Sequence, residues 1–304
     1  MKNLWNSQPT IVCPACGTFL PLQQYFPFAY FHGAKTACAY CKAEFDLWDS
    51  AIKILSQEPL LFRKRGAAFI GAHELSFVYQ LPAEATVEID LHELGVPLNS
   101  KLLYIVHSPT SEAAWPLELS SNQLTQRKRT NKLMFYGRPF PKSHESITCS
   151  PDVSISITYL PPSSDQISSD QLALACEYLL EDQYEKMLLP CAVAVEQITQ
   201  RTVFDVLKKL GLPTNHEPNK RLGLEVILPM ASQLLDIPKL DNRVTNLIAK
   251  LWRLRNQMAH QGSVSSGVKL AEVAEIFVAS IFCVNHLSMV RQDVEQKSIF
   301  QNLK

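Results

Sequence analysis

The chain has 304 residues, of which 46% are hydrophobic and 19% are charged, and its formal net charge is zero. This composition is typical of folded globular proteins and excludes both intrinsic disorder and a long coiled coil. Pieces divided near residues 50 and 165 each lie within about one charge of neutrality. No part of the chain is therefore basic enough to bind nucleic acid by bulk charge, and any such contact has to be local.

The first fifty residues contain two pairs of cysteines, Cys13 with Cys16 and Cys38 with Cys41, separated by 21 residues. Two thiolates separated by two residues can converge on one ion from a tight turn. Four sulfur ligands favour zinc and close its coordination sphere, so we predict a structural zinc site. The pattern resembles a zinc ribbon over residues 1–50, and zinc ribbons often bind nucleic acid or protein partners. A redox-active cysteine pair or an iron–sulfur site is the alternative.

Residues 60–162 are rich in β-branched and aromatic residues, which occur in short runs separated by turn-forming residues. The clearest run is Val153–Tyr159, where apolar and polar residues alternate strictly and so predict a strand with one buried face. We expect an antiparallel β-sandwich or barrel in this middle domain. Its predicted strands are Ala67–Ile70, Leu75–Gln80, Thr86–Leu91, Lys101–His107, Lys132–Tyr136 and Val153–Tyr159.

The stretch Pro161–Asp170, with the sequence PPSSDQISSD, has the composition of a linker and predicts a domain boundary. The remainder, residues 165–304, has the periodicity of an all-α bundle of four to five helices. The first helix is expected from Asp170 to Leu210, bent or broken at Pro190. The other predicted helices are Leu222–Leu235, Asn242–His260 and Val268–Val290.

The helix predicted over Asn242–His260 carries the residues that suggest catalysis. Gly262 is a typical helix end, so His260 is expected in the last turn. Arg255 precedes His260 by five residues, and side chains with that spacing point about 140° apart on a regular helix. Two copies of this helix related by a two-fold axis would bring an arginine and a histidine into one cleft, so we expect a homodimer.

The sequence Arg255-Asn256, three residues and His260, with Ala259 before the histidine and Gly262 after it, resembles the Arg-polar-x-x-x-His motif of HEPN domains. These domains are helical bundles, and many are dimeric, metal-independent endoribonucleases of toxin–antitoxin, abortive-infection and CRISPR systems. The resemblance implies an RNA substrate, such as a tRNA or an mRNA, and a role as a toxin or anti-phage defence effector with an antitoxin or regulatory partner. It also implies that Arg255, Asn256 and His260 form the catalytic site without a cofactor.

The implied chemistry suits these residue types. RNA carries its own nucleophile, the 2′-hydroxyl, so a metal ion is dispensable if a base removes its proton and a cation stabilises the phosphorane. Histidine ordinarily titrates near pH 6.5 and can act as that base or as an acid, and the guanidinium fork of arginine matches phosphate oxygens. Asn256 would orient the histidine or the phosphate. The expected products carry a 2′,3′-cyclic phosphate and a 5′-hydroxyl.

Other interpretations of these residues stay open. Arg255 and His260 can stabilise the helix C-terminus instead, which would make the protein a non-catalytic adaptor that binds nucleic acid or protein. A nucleotide-binding role is a third interpretation, although no phosphate-binding glycine loop supports it. Glu196 is a candidate ion-pair partner for Arg255, and the basic clusters Arg63–Arg65 and Arg127–Arg129 can contact an RNA backbone locally.

No long apolar run follows the N-terminal Lys2, and no uninterrupted apolar stretch of about 18 residues occurs, so we expect a cytoplasmic protein without a membrane segment. Four further cysteines stand singly among apolar neighbours and are expected to be buried thiols, namely Cys149, Cys176, Cys191 and Cys283.

Overall fold

The computed structural model describes residues 2–7, 10–21, 35–57, 70–80, 86–109, 117–121, 132–137, 152–162, 166–209, 211, 233, 240–263 and 267–296. Within these residues the protein is mixed α+β, with antiparallel sheets and five helices. The chain divides into two compact units, which are Met1–Thr10 with Arg63–Ser164, and Ile11–Phe62 with Asp165–Lys304.

In chain order, the elements are β1 (Lys2–Ser7), β2 (Thr10–Val12), β3 (Phe19–Pro21), β4 (Lys35–Ala37), β5 (Glu44–Asp46), α1 (Leu47–Gln57), β6 (His73–Gln80), β7 (Thr86–Asp90), β8 (Lys101–Pro109), β9 (Leu117–Ser121), β10 (Lys132–Gly137), β11 (Asp152–Leu160), α2 (Gln166–Leu180), α3 (Tyr184–Lys209), α4 (Asn242–Gln261) and α5 (Leu270–Gln296).

The first unit is built from two antiparallel sheets, one in the order β1-β6-β11-β8 and one in the order β7-β10-β9. Strand β11 shows why the alternating sequence forms a two-faced strand. Val153, Ile155 and Ile157 are fully buried, whereas the serines between them are partly exposed. Buried side chains from both sheets, among them Leu133 of β10 and Phe77 of β6, form a single hydrophobic cluster.

The strand predictions hold for β6, β7, β8, β10 and β11, which overlap the expected ranges. Strand β9 was not predicted, and the expected strand Ala67–Ile70 lies, apart from Ile70, outside the described residues. Strand β1 was not predicted either, and it pairs antiparallel with β6. The range 1–50, predicted to be a zinc ribbon, is therefore shared between the two units, because the partner of β1 is a strand more than sixty residues away in sequence.

The second unit is organised around α5, which packs against α3, α4, α2 and α1. Most side chains of α5 between Val273 and Leu287 are buried, as expected of the central helix of a bundle. Among the described residues, the helical segment Leu270–Ser288 is long enough and apolar enough to cross a membrane, and 72% of it is buried inside the protein. Such burial is typical of a core helix.

The helix expected from Asp170 to Leu210 is two helices, α2 and α3, and the break lies at residues 181–183 rather than at Pro190. Asp182 has a φ of +58°, and the Gln183 N–H donates to the Tyr178 carbonyl oxygen at 2.9 Å, which closes the end of α2. Pro190 lies inside α3, near its N-terminal end. Most of the helix predicted over Leu222–Leu235 lies outside the described residues.

Candidate functional site

The four paired cysteines lie on two turns of the same design. Strands β2 and β3 pair with each other, as do β4 and β5. In the first turn the Cys13 carbonyl oxygen accepts from the Gly17 N–H at 2.9 Å, and in the second the Cys38 carbonyl oxygen accepts from the Lys42 N–H at 3.0 Å. Gly17 and Lys42 both have positive φ, at +72° and +63°. The two turns therefore present their cysteine pairs in equivalent ways.

The four sulfur atoms lie close enough together to share one metal ion. The Sγ atoms of Cys13 and Cys41 are 3.7 Å apart, and those of Cys16 and Cys38 are 3.8 Å apart. All four Sγ atoms lie within 4.8 Å of one another. Sulfurs on a tetrahedron with metal–sulfur bonds of about 2.3 Å are about 3.8 Å apart, so the separations of these two pairs match that geometry. The four cysteines can hold a metal ion.

The electrostatics of the cluster also suit a cation. Cys16 lies 3.2 Å from the Thr18 hydroxyl, and this contact helps to lower the pKa of Cys16 to about 6. The backbone N–H of Ala43 favours the Cys41 thiolate, but burial and the neighbouring sulfurs outweigh it and raise the pKa of Cys41 to about 12. Clustered thiols resist carrying several negative charges together, and a metal cation removes that repulsion by binding the thiolates.

The segment that follows the second cysteine turn anchors the cluster to the helical bundle. The Asp46 carboxylate accepts from the Trp48 backbone N–H at 2.8 Å and so caps α1. The Trp48 ring lies edge-on to Phe282 of α5, with centroids 5.4 Å apart. Arg243, in the first turn of α4, lies 3.4 Å from Asp46 and stacks over Trp48. The cysteine cluster and the helices therefore belong to one compact unit.

Helix α4, predicted over Asn242–His260, is present and has defined ends. The Asp241 side chain accepts from the Arg243 backbone N–H at 2.7 Å and caps its start. Gly262 adopts the left-handed conformation at its C-terminus, with φ +75°, and donates its N–H to the Met258 carbonyl oxygen. The helix is therefore regular through His260, as the glycine predicted.

The three predicted catalytic residues lie in the last two turns of α4. Asn256 and His260 are exposed and Arg255 is half-buried. The Arg255 guanidinium donates to the Asn256 side-chain oxygen at 3.0 Å and stacks over the Trp252 ring, 5.5 Å from its centroid. Among the described side chains, no hydrogen bond or ion pair joins Arg255 to His260, as expected from their separation of about 140° around the helix.

The residues suggested as accessories have other partners or lie outside the described residues. Glu196 accepts a hydrogen bond from Gln200 at 3.2 Å on its own helix. The basic clusters Arg63–Arg65 and Arg127–Arg129 fall outside the described ranges. Lys132, three residues after the second cluster in the sequence, forms an ion pair with Glu88 on the neighbouring strand.

Three of the single cysteines are buried, as predicted. Burial raises the pKa of Cys191 and of Cys283 to about 12, which keeps both thiols protonated and unreactive. Cys149 lies outside the described residues.

Trp252 and Arg243 were not singled out in the sequence. Trp252 precedes Arg255 by three residues, a spacing that places two side chains next to each other on a helix, so its contact with Arg255 was available from the pattern. Arg243 had no such signal, because its partner Asp46 is almost two hundred residues away.

No protein-family model, curated protein or solved structure matches this chain.

Proposed function

We propose that the protein is a metal-independent endoribonuclease whose site is formed by Arg255, Asn256 and His260 of two subunits. The observation that carries the proposal is the position of these residues in the last two turns of a regular, capped helix, where Asn256 and His260 are exposed to solvent. A large substrate such as RNA can reach side chains in this position. The resemblance of the motif to that of HEPN domains supports the same function and a HEPN-like bundle.

The geometry of α4 favours a site shared by two subunits. Its buried face contains Val244, Ile248 and Leu251, and Arg255 follows four residues later on the same face. His260 lies about 140° away from Arg255, so one copy of the helix does not direct both groups at one phosphate. In a two-fold dimer the Arg255 of one copy and the His260 of the other meet across the axis.

The reaction that we propose needs only these groups and the RNA. One histidine removes the proton from a ribose 2′-hydroxyl, and the resulting oxygen attacks the adjacent phosphorus. The guanidinium of Arg255 stabilises the additional negative charge on the phosphate oxygens. The bond to the 5′-oxygen breaks, and the same histidine, now protonated, donates its proton to that oxygen. The products are a 2′,3′-cyclic phosphate and a 5′-hydroxyl, and the proton lost by the 2′-hydroxyl is matched by the proton gained by the 5′-oxygen.

Purified protein incubated with total cellular RNA in EDTA tests the proposal. We expect cleavage when EDTA removes free divalent ions but leaves the cysteine-bound metal in place, and a loss of at least about 100-fold in His260→Ala and in Arg255→Ala. Arg253→Ala is the matched control, because Arg253 is an exposed arginine on the same helix and outside the motif. Wild-type activity in both motif variants would refute the assignment.

A second candidate function follows from the contacts of Arg255. Its guanidinium already has two partners within its own helix, Asn256 and Trp252, so it can serve as a fixed element of a binding surface. The protein would then be an adaptor that binds RNA or protein without cutting it. RNA binding that Arg255→Ala abolishes, in the absence of any cleaved product, would favour this function.

We propose that the metal held by Cys13, Cys16, Cys38 and Cys41 is zinc, in a zinc-ribbon module. Four clustered cysteines, with two sulfur pairs 3.7 and 3.8 Å apart, support this choice, because zinc accepts a tetrahedral all-sulfur site readily. The site has no ligand position left for water or substrate. Zinc would stabilise the fold, and it would take no part in cutting RNA.

The remaining parts of the proposal concern the first unit and the cellular role. The hydrophobic cluster shared by its two sheets supports a β-sandwich. A ribonuclease active on tRNA or mRNA in the cytoplasm would be toxic unless restrained. We therefore propose a toxin or anti-phage effector controlled by an antitoxin or another regulatory partner.

A further inference from the structure

We infer that the cysteine module is a metal-dependent brace for the N-terminal end of α4, and that Arg243 is the residue that couples metal binding to this helix. The inference goes beyond the proposed ribonuclease function and does not depend on it. It rests on a continuous set of contacts from the second cysteine turn to the helix that carries Arg255 and His260.

The connection begins at the metal ligands. Cys38 and Cys41 lie on the turn between β4 and β5, and β5 ends at Asp46. Only four residues separate Cys41 from Asp46, and the β4–β5 pairing joins Lys35 to Asp46 and Ala37 to Glu44. A strand pair this short is marginal by itself, so its geometry depends on the metal that holds the turn.

Asp46 makes contacts in two directions. One carboxylate oxygen accepts from the backbone N–H groups of Trp48 and Asp49, at 2.8 and 3.4 Å, and so fixes the start of α1. The other oxygen lies 3.4 Å from the guanidinium of Arg243. The side chain of Asp46 is only 17% exposed, so this ion pair is partly shielded from solvent.

Arg243, in the first turn of α4, is the residue that contacts Asp46. Its guanidinium lies over the Trp48 ring, 5.2 Å from the centroid, in a cation–π contact. It also lies 3.8 Å from Asp241, which caps the helix. One side chain therefore touches the strand that leaves the metal site, the aromatic ring that packs on α5, and the cap of α4.

Loss of the metal releases this set of contacts together. Without a fixed turn, β5 no longer holds Asp46 and Trp48 against Arg243, and the first turns of α4 lose an ion pair and a stacked ring. The motif begins about 18 Å further along α4 at Arg255 and ends about 25 Å further along at His260, because these residues are 12 and 17 positions beyond Arg243 at about 1.5 Å each. The metal thus acts on the stability of the helix and does not contact the motif.

Hydrogen exchange on the full-length protein tests the coupling. Removal of the metal with a zinc chelator should speed amide exchange in the first turns of α4 by about tenfold or more. The helix α2 serves as an internal reference, because it packs mainly on α3. Unchanged exchange at the start of α4 after complete metal removal would overturn the inference.

The variant Arg243→Ala tests the coupling residue. With zinc bound it should show the faster exchange at the start of α4, and by reciprocity it should bind zinc about fivefold more weakly or worse in competition with a chelator. Arg253→Ala is the control, expected to match the wild type in both measurements. Arg243→Lys takes its place if the alanine variant does not fold, because lysine keeps the charge and lacks the planar fork.

The two readouts give a clear decision. Wild-type exchange and wild-type zinc affinity in the Arg243 variant overturn the inference. Because neither measurement involves RNA, failure to find RNA cleavage would leave the coupling intact, and failure of the coupling would leave the ribonuclease proposal intact.

Discussion

The guanidinium of Arg243 lies over the indole ring of Trp48, 5.2 Å from its centroid, although the two residues are almost two hundred positions apart in sequence. Trp48 is 5% exposed and also packs edge-on against Phe282. The indole thus links the segment after the cysteine turns to two helices of the bundle.

Replacing this indole should destabilise the second unit. Trp48→Ala removes the contacts with both Arg243 and Phe282 and leaves a cavity, so we expect a loss of about 3–5 kcal/mol in the free energy of unfolding. Trp48→Phe keeps an aromatic ring and should lose less. Urea denaturation followed by the helical circular dichroism signal measures both. Equal stability of the alanine variant and the wild type would show that the packing is unimportant.

The cysteine cluster should bind one metal ion per chain, with four sulfur ligands at about 2.3 Å. Cys38→Ser is expected to lose the metal, because an alcohol does not replace a thiolate ligand. Cys191→Ala is the control and should keep the metal, since Cys191 is buried in α3 away from the cluster. Elemental analysis and X-ray absorption at the metal edge check the stoichiometry and the ligands. Retention of metal in Cys38→Ser would contradict the site.

The shared site predicts complementation between inactive subunits. A mixture of Arg255→Ala and His260→Ala chains should recover about a quarter of wild-type RNA cleavage, because half of the dimers are mixed and each keeps one complete pair. Each variant alone should stay inactive. The measurement requires exchange of subunits before the RNA is added, which can be checked by mass. Absence of any recovery in verified mixed dimers would contradict an arginine and a histidine supplied by different subunits.

The end of the motif helix depends on Gly262. Its φ of +75° is unfavourable for residues with a Cβ, although no atom lies within 4 Å of the position that a Cβ would take. Gly262→Ala should therefore destabilise the protein by about 1 kcal/mol through backbone strain alone. Gly262→Asn should lose less, because asparagine tolerates this conformation. Thermal unfolding of the two variants, compared with the wild type, gives the ordering.

Acid should destabilise the second unit through His286. Burial lowers the pKa of His286 to about 4 from its ordinary 6.5, so between these values the unfolded chain binds more protons than the folded one. The free energy of unfolding keeps its full value above pH 6.5. As the pH falls towards 4, this group lowers it by roughly 3 kcal/mol. His286→Leu removes the titrating group, so its stability should fall less steeply over that range. Urea midpoints at several pH values test the slope.

Local sequence patterns determined much of this protein. The two cysteine pairs predicted a metal-binding cluster, and the structure brings their four sulfurs within 4.8 Å of one another. The alternation in Val153–Tyr159 predicted β11, and the position of Gly262 predicted the end of α4. These predictions succeeded because each depends on residues close together in the chain, where sequence spacing determines the local backbone geometry.

Other features depended on partners distant in sequence. Strand β1 has a weak pattern of its own and exists through its pairing with β6. The first predicted helix is interrupted at Asp182, which has a positive φ. Pro190, where the interruption was expected, lies inside α3 near its start. Likewise, only the tertiary structure joined Arg243 to Asp46 and so made the cysteine turns part of the helical unit. Such contacts are decided by packing between distant segments, which local propensity and spacing do not encode.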